Sequence, residues 1–478
     1  MPANNQPDFS SLKACIDDSR DALLDARKGP DDPTDYQVLV ARLEAGRSNL
    51  PPLYLNKALE PFLAYLREIG EAAFKEALDA LDEDEDRESI GAKIMDGAQA
   101  ILQHAENPKT ATNAFQEVVS DLYDGFLSEE DRRGVSAPDV AQSAPLVKWG
   151  DAKSFPYTLT SRTTSVVRLQ VGIVSLAPSH QRAGLMGWAA LGHETAGHEI
   201  LTADDGLAAE LANKVDAALA GHGAVAQYWR RKLAETASDV MGVLNMGPAA
   251  AIGLIAYFRG ANDADGKGAV LSNIGTNAEG HPTDIMRGYI AAETVRLLNF
   301  SNRQSWAQAI ENEVDADVIA TGGTITMGSS TVDQVEAQEV ARIIANTIAK
   351  SKLDALDRHS LIDIQDWDDE DEQIAIALGK PLTDGTPADQ AVAIGFYAAH
   401  VVAAAVTQAL CARSNLPAIF QNMKAVLVEM HDKNPSWGPL LVEYPGTLAP
   451  EQVFSTRLRD GIRLARQKKK SKKKKRAK

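Results

Sequence analysis

The chain has 478 residues, 44% of them hydrophobic and 6% aromatic, with a formal net charge of −17. This length corresponds to about three domain-sized units, and the apolar content excludes a chain without packed cores. Its two cysteines, Cys15 and Cys411, exclude a disulfide framework and a cysteine-rich zinc site, and favour a reducing compartment or indifference to oxidation.

The opening Met-Pro-Ala-Asn-Asn-Gln-Pro-Asp has neither the basic patch nor the apolar run of a secretory signal, so a cytoplasmic location is expected. Residues 1–145 read as a helical N-terminal domain, with apolar periodicity over Leu53–Leu81 and Ala92–Leu127 and the acidic run Asp82–Glu88 as a linker between them. Tyr157–Leu176 changes character. Thr158, Thr160, Val166, Val167, Leu169, Val171, Ile173 and Val174 are β-prone and predict strands that lead into a helix beginning near Ala183. A sheet edge at that point suits an extended peptide, which adds to it as a further strand.

The next segment holds the most informative residues. Positions 192–199 read Gly-His-Glu-Thr-Ala-Gly-His-Glu, which supplies two imidazoles and a carboxylate of the kinds found in catalytic zinc sites. His193 and His198 are candidate ligands for Zn2+. Glu194 is the candidate general base, a carboxylate beside the metal that takes a proton from water. The histidines are five apart, and at about 100° per residue a regular helix sets them about 140° apart, so the spacing predicts a π-type bulge. Gly197, before the second histidine, offers the least steric objection to irregular backbone.

A catalytic site needs a third protein ligand. Ala224–Met246 predicts one helix ending at Gly247-Pro248, and within it Glu235 and Asp239 are four apart and share a face. Glu235 is the expected ligand and Asp239 the carboxylate that orients a ligand histidine. Asp204 and Asp205 are rival third ligands; otherwise they lie in the loop that ends the first helix. Further on, residues 280–289 contain His281, Arg287 and Tyr289, each able to donate to the oxyanion formed in amide hydrolysis. The same stretch also reads as a loop and helix start, with Asp284 in the first turn and Arg287 on a solvated face.

These two motifs resemble those of a known group. A Glu-x-x-x-Asp helix following a His-Glu helix is similar to the thermolysin-type gluzincins, and the five-residue spacing with glycine before the second histidine resembles the dipeptidyl-peptidase III family. The resemblance covers about fifty residues. It implies His193, His198 and Glu235 as zinc ligands, Glu194 as base and Asp239 as orienting carboxylate. It departs from the dipeptidyl-peptidase III pattern at Ala234, where that family has a second glutamate.

Residues 300–365 read as helix mixed with a Gly/Thr/Ser segment, Ala320–Thr331, that predicts a hairpin or flexible loop. After the acidic stretch Asp366–Glu372, helices are expected at 388–412 and 415–432. Ala391–Ala412 contains no Asp, Glu, Lys or Arg, yet its Ala, Gly395, His400, Thr407 and Gln408 make it a buried core helix rather than a membrane span. His400 reads there as a satisfied core histidine. Lys468–Lys478 carries nine positive charges, leaving −26 on the remainder. So acidic a body does not bind nucleic acid over its surface, but the Lys-rich tail suits an anionic partner or a localisation role, or folds back on the acidic body.

The expected fold is thus α+β, mainly α-helical, with a zincin-like catalytic core at 146–300 whose small β-sheet packs on the active-site helix. A mostly helical C-terminal domain at 301–466 and a basic tail at 467–478 follow. The expected function is a zinc metallopeptidase acting on a peptide or protein substrate. The alternatives are a zinc hydrolase of another amide or ester, and a non-enzymatic helical binding or scaffold protein with a polyanion-directed tail.

Overall fold

A computed structural model describes residues 7–31, 33–83, 89–106, 110–127, 132, 134–140, 143–388, 396–433 and 437. Most of the acidic run Asp82–Glu88, the start of the 388–412 helix and the Lys-rich tail lie outside these. The described chain is mainly helical, with two small three-stranded sheets.

Taking helices of six residues or more, five precede the first sheet: α1 (Leu12–Leu24), α2 (Tyr36–Ala45), α3 (Glu60–Glu83), α4 (Ile90–Ala105) and α5 (Thr110–Leu127). Side chains at the caps explain several boundaries. Asp35 accepts from the Val38 amide and Ser89 from the Ala92 amide, which satisfies donors that a helix start leaves open.

The first sheet consists of β1 (Leu146–Trp149), β2 (Tyr157–Leu159) and β3 (Ile173–Leu176), in the order β1-β3-β2, with β1 parallel and β2 antiparallel to β3. Alternation along the strands divides the core in two. Val147, Trp149, Val174 and Leu176 enter the main core, whereas Leu146, Leu159 and Ile173 join a smaller core built with α2, α3 and α4. Fewer of the β-prone residues form strands than their types suggest. Thr160 caps a short helix, Ser161–Thr164, and Val166 and Val167 lie in a 3-10 turn, because that turn returns the chain into β3. Strand β1 was not anticipated.

After the site segment Leu185–Glu199 come α6 (Leu207–Ala218), α7 (Ala224–Trp229), α8 (Leu233–Met246) and α9 (Pro248–Ala264). The single helix expected over 224–246 is two, interrupted at 230–232. The second sheet contains β4 (Ile274–Gly275), β5 (Thr324–Met327) and β6 (Ser330–Asp333); β5 and β6 form the hairpin expected near Ala320–Thr331. Helices α10 (Asp284–Leu297), α11 (Arg303–Ala320), α12 (Gln334–Lys350), α13 (Asp369–Asp384), α14 (Ala398–Leu410) and α15 (Leu416–Asp432) complete the described chain. The acidic stretch at 366–372 has a local explanation. Asp368 caps α13 and Asp369–Glu372 form its first turn, where negative charge meets the positive end of the helix dipole.

The main core runs from Leu12 to Met430, so it crosses residues 145 and 300 without a break. Helix α1 packs on α9, where Gly260 lies against Ile16 and Ser19. Helix α14 is buried, and His400 bonds the Tyr397 amide and faces Asp371 at 3.0 Å. Among the described residues, no helix is long and apolar enough to cross a membrane.

Candidate metal centre

The site segment consists of two short α-helical pieces, Leu185–Ala189 and Leu191–His193, followed by a π turn over Glu194–Glu199. A turn closed by i→i+5 hydrogen bonds absorbs the extra residue, as the spacing predicted. His193 and His198 therefore face each other, with their Nε2 atoms 3.1 Å apart and their rings at 86°.

The reason for Gly197 is different from the one inferred from sequence. Its backbone is not in the left-handed region; instead, a Cβ there would lie 2.3 Å from Ser238 Cβ and 2.5 Å from Ser238 Cα. Gly192 and Gly242 meet in the same way, with a Cβ on Gly242 only 3.0 Å from the His193 amide nitrogen. The missing side chains let α8 cross directly against the π turn. That contact places Glu235, in the first turn of α8, beside the histidines. Its carboxylate stands 3.3 Å from His193 Nε2 and 3.6 Å from His198 Nε2.

One helical turn further along α8, Asp239 Oδ1 lies 2.7 Å from His193 Nδ1. Asp239 is in turn gripped by Arg287 of α10, with Nε donating to Oδ2 at 2.7 Å and Nη2 to Oδ1 at 2.8 Å. All three side chains are buried, and the guanidinium lies 4.3 Å from the centroid of the Phe258 ring. This is the pattern by which a carboxylate fixes the tautomer of a ligand histidine and leaves Nε2 directed at a metal.

The electrostatics agree with that geometry. Burial works against a charged His193, but the hydrogen bond and charge of Asp239, with Glu235 behind, outweigh it and raise the ring to about 10. His198 is pushed down, by burial first and then by His193. Burial opposes ionisation of Glu235, yet His193, His281 and His198 together hold its carboxyl far below the usual range. Asp239 is likewise depressed, because Arg287 and His193 overcome its burial. The cluster thus concentrates negative charge and basic nitrogen in one buried place, the condition for holding a cation.

Whether zinc fits is a question of distances. Zinc bonds of about 2.0–2.2 Å at tetrahedral angles set ligand atoms roughly 3.3–3.6 Å apart. The observed 3.3 and 3.6 Å lie at the ends of that interval and 3.1 Å falls just below it. His193, His198 and Glu235 form one group whose ligand atoms lie within 4.8 Å of one another, and buried Glu235 Oε2 receives no well-directed hydrogen bond. The donor set fits the ion.

Glu194 is buried beside the pair, and its Oε2 accepts a hydrogen bond from Thr158 Oγ1 of β2 at 2.9 Å. The three donors read from residues 280–289 fall elsewhere. Arg287 is neither solvated nor free, since it is committed to Asp239. Tyr289, two residues further round α10, points away and donates to Asp315 at 2.7 Å. His281 is mostly exposed and stands 3.1 Å from Glu235 Oε2, so it addresses that carboxylate. The rival ligands are also occupied. Asp204 accepts from buried Arg132 at 2.8 Å, and Asp205 pairs with Arg162.

Two residues went unnoticed in the sequence. Thr158 carried only a strand signal. Tyr257 sits in the apolar helix α9, where an aromatic reads as core, yet its buried hydroxyl has no hydrogen-bond partner among the described residues. Burial, with the charge of Glu194, holds that phenol far above its ordinary range.

Comparison of the sequence with protein-family models and curated proteins, and of the fold with solved structures, finds no match.

Proposed function

We propose that the chain is a zinc-dependent hydrolase of the gluzincin kind, and that its substrate is a peptide bond. The observation that carries this reading is the convergence of His193, His198 and Glu235, from two separate helices, at the mutual distances of a tetrahedral zinc site. Asp239 and Arg287 behind His193 supply the orienting partners that such a site requires. His193, His198 and Glu235 would hold the ion, which when bound would supply Lewis acidity that makes water easier to deprotonate.

The chain's own groups divide the remaining work. Glu194 takes a proton from the attacking water and passes it to the leaving amine. On binding, the ion would displace the Nε2 proton of His193, and Asp239 would hold the remaining proton on Nδ1. The unpartnered hydroxyl of Tyr257 is the donor available to an oxygen on which charge develops. Strand β2 is terminal in its sheet, and its outer edge offers backbone groups to an extended peptide next to Glu194. That edge favours a peptide over other amides or esters.

A metal count combined with an activity assay tests the reading. The expected result is about one zinc per chain, lost in His193→Ala and in Glu235→Ala, with chelator-sensitive cleavage of a random peptide library. Glu194→Gln is expected to keep the zinc and to lose turnover. A zinc-loaded chain that cleaves no library peptide overturns the peptidase reading, and a chain that takes up no zinc overturns the metal centre.

A further inference from the structure

Strand β2 contributes one hydroxyl to the site, and its geometry is unusual for a strand residue. Thr158 Oγ1 lies 2.9 Å from Glu194 Oε2 and 3.0 Å from the main-chain oxygen of the same residue. A hydroxyl has one proton to donate, so the two acceptors share it, and the side chain of Glu194 is tied back to its own backbone. Among the described residues no other hydrogen bond reaches this carboxylate, which leaves Oε1 as the oxygen open to a proton.

Both ends of this tie are fixed by other parts of the fold. Glu194 opens the π turn, between the two histidines. Thr158 sits opposite Val174 in the antiparallel register with β3, on the face that enters the main core. On the opposite face, the neighbouring Tyr157 donates to Asp96 of α4 at 2.9 Å. The sheet, rather than the helix that carries it, therefore sets where the Glu194 carboxylate stands.

Resting on the hydrolase reading above, we infer that Thr158 is the positioning residue of Glu194: its hydroxyl anchors Oε2, aims Oε1 at the attacking water and links the base to the strand edge that receives the substrate. Displacing a catalytic group by about 1 Å costs on the order of 100-fold in rate, so the anchor is expected to act on turnover rather than on binding.

The test compares Thr158→Val, which removes the hydroxyl and keeps the β-branched shape, with Thr158→Ser, which restores it. In the zinc-loaded full chain, Thr158→Val is expected to lower kcat by about 10- to 100-fold with KM and bound zinc unchanged, and Thr158→Ser to recover most of the loss. Thr158→Ala serves as a second deletion should the valine variant fail to fold. An active wild type whose Val and Ala variants retain full kcat overturns the positioning role alone. A wild type with one zinc and no hydrolytic activity overturns the reading of the site, and the role of Thr158 falls with it. A loss of zinc or a rise in KM in the folded deletion variants, in place of the fall in kcat, assigns Thr158 a structural part and also overturns the proposal.

Discussion

His193 and His198 face each other across 3.1 Å with Glu235 and Asp239 around them, whereas His104 and His431 lie against the indole of Trp437, at centroid distances of 4.9 and 5.6 Å. All four rings are largely enclosed, but their surroundings differ in kind. Among the described residues His104 has the Val147 carbonyl on one nitrogen and no hydrogen-bond partner on the other, and burial, reinforced by His431, pushes it down to about 3. His193 is equally enclosed and is raised to about 10, because carboxylates face both of its nitrogens. Burial by itself produces a neutral, apolar histidine. Acids on both sides of the ring favour a charged, polar one.

The largest effect is expected where the site is assembled. Gly197→Ala places a methyl group against the backbone of Ser238, and overpacking of this kind costs about 3 kcal/mol or less at sites able to relax. Here both contacts are to the neighbouring helix, so the expected outcome is loss of bound zinc together with a lowered unfolding midpoint. Zinc content near one per chain in this variant would show that the glycine seam does not define the centre.

The second effect belongs to the enclosed histidines away from the site. A histidine held neutral in the fold, with a folded pKa below its unfolded value near 6.5, stabilises above that value and loses the contribution as pH falls. For His104 the window runs from 6.5 toward 3, and for the enclosed His180 from 6.5 toward 4. Each withdraws at least about 3 kcal/mol across its window. Glu199, raised to about 7 by burial, works in the opposite direction, losing stability as pH rises from about 4.5. Urea unfolding of chelator-treated chain at pH 6.5, 5.5 and 4.5 therefore should show a falling midpoint, and His104→Gln should reduce the slope by about one proton. An unchanged slope would mean that His104 is protonated in the fold.

The smallest effect sharpens the comparison most. Asp239→Asn keeps the shape and removes the charge behind His193, and loss of such a partner lowers metal affinity by about 10- to 100-fold. His104→Gln should leave the zinc affinity unaltered. Competition with a zinc-binding dye would measure both, and equal affinities for wild type and Asp239→Asn would remove Asp239 from the centre.

What could be read from the sequence follows the range of the interactions involved. The pairing of Glu235 with Asp239 and the need for a bulge between His193 and His198 depend on spacing along one helix, and both were legible. The purpose of Gly197 depends on Ser238, 41 positions later, and was misread as backbone freedom. Arg287 and Tyr289 were grouped because they are close in sequence, but two residues on a helix face different ways, and their partners, Asp239 and Asp315, lie on different elements. Tyr257 carried no signal, since an aromatic in an alanine-rich helix is indistinguishable from core until its hydroxyl is seen without a partner. The interruption at 230–232 was missed for a related reason: Lys232 donates its ammonium to the Glu279 carbonyl and lies 4.7 Å from the Tyr228 ring centroid, contacts made only after folding.

The seat of α1 on α9 has a consequence for biogenesis. Its closest partner, around Gly260, emerges from the ribosome more than two hundred residues later, and the Ala409 carbonyl that faces Cys15 later still. At about 5–20 residues per second this helix waits tens of seconds with Leu12, Ile16 and Leu23 uncovered. Long-range closure of this sort slows folding and exposes apolar surface meanwhile. A nascent chain halted before residue 248 should therefore engage holdase chaperones through its first helix, and release them once α9 has been made.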